Sequence, residues 1–114
     1  MDENELQSLY VKKYIKFDRW IKRSVGKLDC AHNILIGIHL EIAQEILYEF
    51  KGNETIEPLM SRFHKVERWK SFIMEEFNQY ENKEDFNKWV IKNHEDLDEI
   101  FINYERSRIL KEIL

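Results

Sequence analysis

A chain of 114 residues that is 43% apolar and 35% charged has the length of one domain and too much apolar content to remain disordered. No apolar run approaches the ~18–20 residues of a membrane span, and the acidic opening Met1-Asp2-Glu3-Asn4-Glu5 is unlike a secretory signal, so a cytoplasmic protein with no membrane contact is expected. The net charge of −4 argues against wholesale nucleic-acid binding, and the single cysteine, Cys30, excludes an internal disulfide and reads as an inert thiol.

Only three glycines and one proline punctuate the chain. A β protein needs many turns, and turns draw on Gly, Pro, Asn and Asp. Helices joined by short connections are the economical reading. The first helix is expected from about residue 4 to about residue 25, with Tyr10, Tyr14, Phe17, Ile21, Val25 and Leu28 as its inner face.

The second is expected from about residue 29 to about residue 50, with Asp29 as N-cap. Ile34, Leu35, Ile36, Ile38, Leu40, Ile42, Ile46 and Leu47 cover most of its circumference. Asn33, Glu41, Gln44 and Glu45 leave a narrow polar strip that also holds Gly37. A helix apolar over so wide an arc is buried on more than one side. Ile36, Leu40 and Leu47 flank the strip and are expected to stay uncovered as an interface, for a partner or for a second copy in a homo-oligomer. Gly37 would let another backbone approach closely.

The third helix must start near Pro58, which is tolerated only in a first turn, with Asn53 or Thr55 as its cap. Leu59, Phe63, Val66, Trp69, Ile73, Phe77 and Tyr80 form its core stripe. The fourth starts after Asn82, with Asp85 three residues on as a capping partner. It carries Phe86, Val90, Leu97, Phe101 and Tyr104 on one face, with Ile109, Ile113 and Leu114 near its end. Connections of about two to six residues between such helices imply antiparallel neighbours. The expected fold is therefore a single all-α domain over 1–114, an antiparallel up-down-up-down four-helix bundle.

Charge is segregated along the chain. Residues 12–27 hold seven cations, Lys12, Lys13, Lys16, Arg19, Lys22, Arg23 and Lys27, against one acid, Asp18. Lys12, Lys16, Arg19, Arg23 and Lys27 keep to one helical face opposite the aromatic one, a cationic stripe about 20 Å long. Trp20 lies near it, where an indole can stack on a base or an Arg plane or simply pack inward. A weaker basic cluster, Arg62, Lys65, Arg68 and Lys70, is interrupted by Glu67 on the third helix, and acids dominate the later chain. Such a stripe can be a solvated face, a surface for an acidic protein, a track for a nucleic-acid backbone or a membrane-surface contact.

Four histidines remain. His32 and His39, seven apart, share an inward face of the second helix; His64 precedes Glu67 on the third; His94 precedes Asp98 on the fourth. Inward His and carboxylate groups on several helices are how bundles build metal sites. The segment Val25-Gly26-Lys27-Leu28-Asp29-Cys30-Ala31-His32 resembles the first-ligand region of hemerythrins, and Trp89-Val90-Ile91-Lys92-Asn93-His94 resembles their last-ligand helix. The resemblance implies a four-helix bundle holding a di-iron, oxygen-binding centre, with His32, His39, His64, Glu67 and His94 as the candidate iron ligands. The family's central His-x-x-x-Glu is matched only by His64 and Glu67, one residue short, and its His-x-x-x-His pair has no counterpart. His32 also resembles the phosphoacceptor of histidine phosphotransfer domains, but Gly37 follows five residues later without their Lys-Gly pair.

No paired general acid and base, nucleophile elbow or phosphate-cradling glycine loop is present, and three glycines leave little loop for an active site. The function expected is binding without catalysis or cofactor: a small inhibitor, adaptor or complex subunit. It would use Lys12, Lys16, Arg19, Trp20, Arg23 and Lys27 against a larger protein with an acidic surface. Hemerythrin-like iron binding and contact with a nucleic-acid backbone are the alternatives.

Overall fold

The described residues of the computed structural model, 3–25, 30–50 and 56–113, form five helices and no strand. The side chains of residues 3, 6, 30, 47, 49–50 and 56–63 lie outside that description. The helices are α1 (Glu3–Ser24), α2 (Cys30–Phe50), α3 (Ile56–Phe77), α4 (Lys83–Lys92) and α5 (Leu97–Ile113). Expectations that rested on Gly26, Lys27, Leu28, Asp29, Gly52, Asn53 and Thr55, or on the side chains of Leu47, Pro58, Leu59 and Phe63, fall outside the described residues.

The aromatic face of α1 is buried: Tyr10, Phe17, Ile21 and Val25 all lie in the core, with Tyr14 packed against it. The broad apolar arc of α2 has the consequence its sequence implies. This helix packs against α1, α3 and α4, burying Ala31, Leu35, Ile38, Ile42, Ala43 and Ile46. From α3 come Val66, Trp69, Phe72 and Ile73. The Trp69 indole N–H donates to the Leu35 carbonyl at 3.3 Å, so the largest core side chain meets its polar requirement on the neighbouring helix.

The single long fourth helix is corrected to two. Asn82 caps α4 as its sequence suggests, its side chain accepting the Asp85 backbone N–H at 2.9 Å. The helix then stops at Asn93, whose side-chain amide donates to the Trp89 carbonyl at 2.8 Å. The Asn93 backbone N–H also reaches that carbonyl, at 3.1 Å, so both donors of Asn93 close the last turn of α4. A turn over 93–96 follows, closed by the Asp96 N–H on the Asn93 carbonyl at 2.9 Å. Asp98 and Glu99 then lie in the first turn of α5, where the helix dipole favours acids.

Phe86 and Val90 on α4, and Leu97 and Phe101 on α5, are all buried despite the break. Beyond them α5 leaves the body. Tyr104 donates to Glu75 at 2.6 Å and Arg68 pairs with Glu105 at 2.8 Å, tying α5 to α3. Residues 106–113 are all exposed, including Ile109 (54%) and Ile113 (73%), so these two add nothing to the core. The molecule measures 45 × 38 × 21 Å. Its thin dimension is about two helix diameters. No helix among the described residues is long and apolar enough to cross a membrane.

Candidate partner-binding face

Helix α1 turns its aromatics inward because their 3.6-residue spacing leaves no other burial, and the cations are carried to the opposite side. Tyr10, Tyr14 and Phe17 each make a ring contact with His39 of α2, and the Phe17 ring stacks on His39 at 4.7 Å between centroids. These contacts fix the rotation of α1 about its axis. Lys12, Lys16, Arg19 and Arg23 are exposed as a result, spanning about 16 Å at 1.5 Å per residue. Lys27 lies outside the described residues.

The flanking charges are occupied. Lys13 forms an ion pair with Glu67 of α3. Asp18, the one acid of this segment, accepts from Lys22 at 2.8 Å and meets His32 Nε2 at 3.0 Å. Burial would raise the Asp18 carboxyl, but the hydrogen bonds from Lys22 and His32 outweigh it and hold the group below its usual range. The Lys13 hydrogen bond acts on Glu67 in the same direction, against burial and with help from His64. Among the described residues no carboxylate pairs with Lys12, Lys16, Arg19 or Arg23. Among the described residues the stripe presents four cations with no carboxylate partner, while Asp18 and Glu67 beside it are engaged elsewhere.

Trp20 is half-buried. It stacks on Phe17 at 6.3 Å and meets Phe77 edge-on at 5.5 Å, so the indole serves packing at the inner margin of the stripe. On α2, Ile36 is partly buried and packs against the core, since α2 meets α1, α3 and α4. Leu40 remains 39% exposed and Tyr48 80% exposed, and the Leu47 side chain lies outside the description. A Cβ added at Gly37 would meet nothing within 4 Å, so no backbone among the described residues uses the space.

The candidate iron ligands are dispersed among separate partners. Buried His39 shares a 3.0 Å hydrogen bond with the Tyr10 hydroxyl through Nδ1. His32 is held by Asp18. His64 Nδ1 meets Glu67 at 3.2 Å on an exposed turn of α3. His94 lies in the 93–96 turn, not on a helix, donates from Nδ1 to the Ile91 carbonyl at 2.9 Å and approaches Glu95, not Asp98. Of the five, only His64 and Glu67 meet, and among the described residues no three His, Cys, Asp or Glu side chains stand together to hold a metal. These residues do not fit a di-iron centre. His32 presents no nitrogen of a phosphoacceptor kind either: Asp18 holds Nε2, and Nδ1 is buried with no hydrogen-bond partner among the described residues.

The basic cluster of α3 separates too. Arg68 pairs with Glu105, Lys65 lines a groove with Glu41 and Glu45, and Lys70 turns toward His39. Burial first, and the nearby Lys70 charge second, push His39 from the ordinary 6.5 down to about 4, so the imidazole is neutral at physiological pH. The role of Lys70 was not legible in the sequence, where it read as one more member of a surface cluster; its only signal was its place one residue after the core Trp69 and four after Val66.

Comparison with protein-family models, with curated proteins and with solved structures finds no match to this chain.

Proposed function

We propose that this chain is a non-catalytic interaction module, an inhibitor, adaptor or complex subunit, that docks an acidic protein surface on the outer face of α1. The observation that carries the reading is the unequal treatment of neighbouring cations. Lys13 and Lys22 are matched by carboxylates, whereas Lys12, Lys16, Arg19 and Arg23 stand exposed in a row with none among the described residues. A row of unmatched like charges on a rigid helix repels itself and attracts a complementary field, which speeds encounter and fixes orientation. The reading takes α1 to α4 as an up-down-up-down antiparallel set in a cytoplasmic protein. The packing of α1 on α2 and of α2 on α3 supports that arrangement for the first three helices, while α4 lies mainly against α2.

Changing Lys16, Arg19 and Arg23 together to Glu tests it. Affinity capture from the native host with the unaltered chain is expected to retain acidic proteins at low salt and to release them as the Debye length shrinks from about 30 to about 3 Å. The triple variant is expected to retain none of them. Capture that survives the charge reversal unchanged overturns the proposal, and retention of RNA in place of protein turns it to the nucleic-acid alternative.

A further inference from the structure

Where α1 meets α3, beside the stripe, the surface closes into a pocket of about 170 Å³. Lys12 and Lys16 of α1 and Lys70 of α3 line it, Leu9 and Val66 supply apolar wall, and His39 lies at its floor, 1% exposed. We propose that this pocket is a receptor site for a small phosphate monoester.

The charge count selects the ligand. Lys13 and Glu67 also line the pocket, but they neutralise each other. Lys12, Lys16 and Lys70 have no carboxylate partner among the described residues. Three ammonium groups around so small a volume repel one another, and a dianion relieves that repulsion better than a monoanion does. Lysine suits phosphate as a point charge with rotatable donors. The floor adds a directional group. With Nδ1 of His39 engaged by Tyr10, Nε2 has no described protein partner and is left for a ligand oxygen. Leu9 and Val66 favour an ester with a compact apolar body over inorganic phosphate. The volume is below the roughly 300–1,000 Å³ of sites for drug-sized ligands, so the body is no larger than a ring or a short chain.

The pocket shares Lys12 and Lys16 with the stripe, but Lys70 is outside the stripe and Arg19 and Arg23 are outside the pocket, so variants at those three positions separate the two functions. Titration of the full chain with phenyl phosphate, benzoate and inorganic phosphate, followed by calorimetry and by the His39 ring resonances, tests it. Phenyl phosphate is expected to saturate, to shift the His39 signals and to bind roughly ten-fold tighter than benzoate. Lys70→Ala is expected to weaken it by about ten-fold, and Arg19→Ala with Arg23→Ala to leave it within about three-fold. Lys70→Gln, which keeps the side-chain stem, guards against a folding defect and should weaken binding comparably. A phosphotyrosine peptide beside phenyl phosphate distinguishes sources of the same group: tighter peptide binding assigns it to a modified protein side chain, equal binding to a free ester. No saturation by ~10 mM, or binding indifferent to both Lys70 variants, overturns the proposal.

Discussion

His39 shows how one residue can report on the packing around it. It is enclosed by Tyr10, Tyr14 and Phe17, faces Lys12, Lys13, Lys16, Glu67 and Lys70 across the pocket, and is held near 4 in the folded state against an ordinary 6.5. Between those values the unfolded chain binds a proton that the folded chain refuses. Stability from this residue is therefore complete above pH 6.5 and is lost as pH falls toward 4, by up to about 3 kcal/mol. Urea unfolding of the native protein and of His39→Phe at pH 7, 6, 5 and about 4 should show the native midpoint falling more steeply with acid. Parallel pH profiles would contradict a buried neutral imidazole. The inward direction of His39 was legible from its seven-residue spacing to His32. Its partner Tyr10, twenty-nine positions away, was not, because that meeting depends on how two helices lie together.

At the scale of elements, α2 and α4 supply separate tests. Gly37 has no neighbour near the position of a Cβ, so Gly37→Ala should only remove the backbone freedom of glycine, raising stability by about 1 kcal/mol. A loss of stability would show a close approach at this face. Asn82 holds the first turn of α4, and α4 delivers Phe86 and Val90 to the core; Asn82→Ala should cost about 1 kcal/mol in chemical denaturation. An unchanged midpoint would remove the cap from the account. The same region shows why a helix boundary can hide. Phe86, Val90, Leu97 and Phe101 are spaced by four, seven and four, which fits one continuous helical face, yet a turn falls inside the seven-residue step. The apolar periodicity survives the turn, so only the polar residues Asn93 and Asp96 carry its signal. The start at Asn82 was legible because a cap is a local interaction, readable from three neighbouring positions.

Over the whole molecule, interior and exterior of α1 were legible together, since the same helical period separates aromatics from cations. An inward-packing Trp20 was legible as one reading of its position, though its partner Phe77 was not; the partial burial of Ile36 was not legible either, because each lies at the edge of a face and the neighbouring helix decides its exposure. Nor was the fate of the second basic cluster, which the fold divides among Glu105, the Glu41–Glu45 groove and the His39 pocket. The stripe on α1 keeps its charge because Asp18 and Glu67 are bonded to Lys22, His32 and Lys13 around it. The account turns on an acidic partner covering that stripe. Amine-reactive footprinting of the chain, alone and in its captured complex, locates the partner directly, with Lys88 and Lys92 of α4 as exposed controls. Lys12 and Lys16 should lose reactivity in the complex while the controls keep theirs. Undiminished labelling of Lys12 and Lys16 in a complex that is otherwise intact would contradict docking on α1.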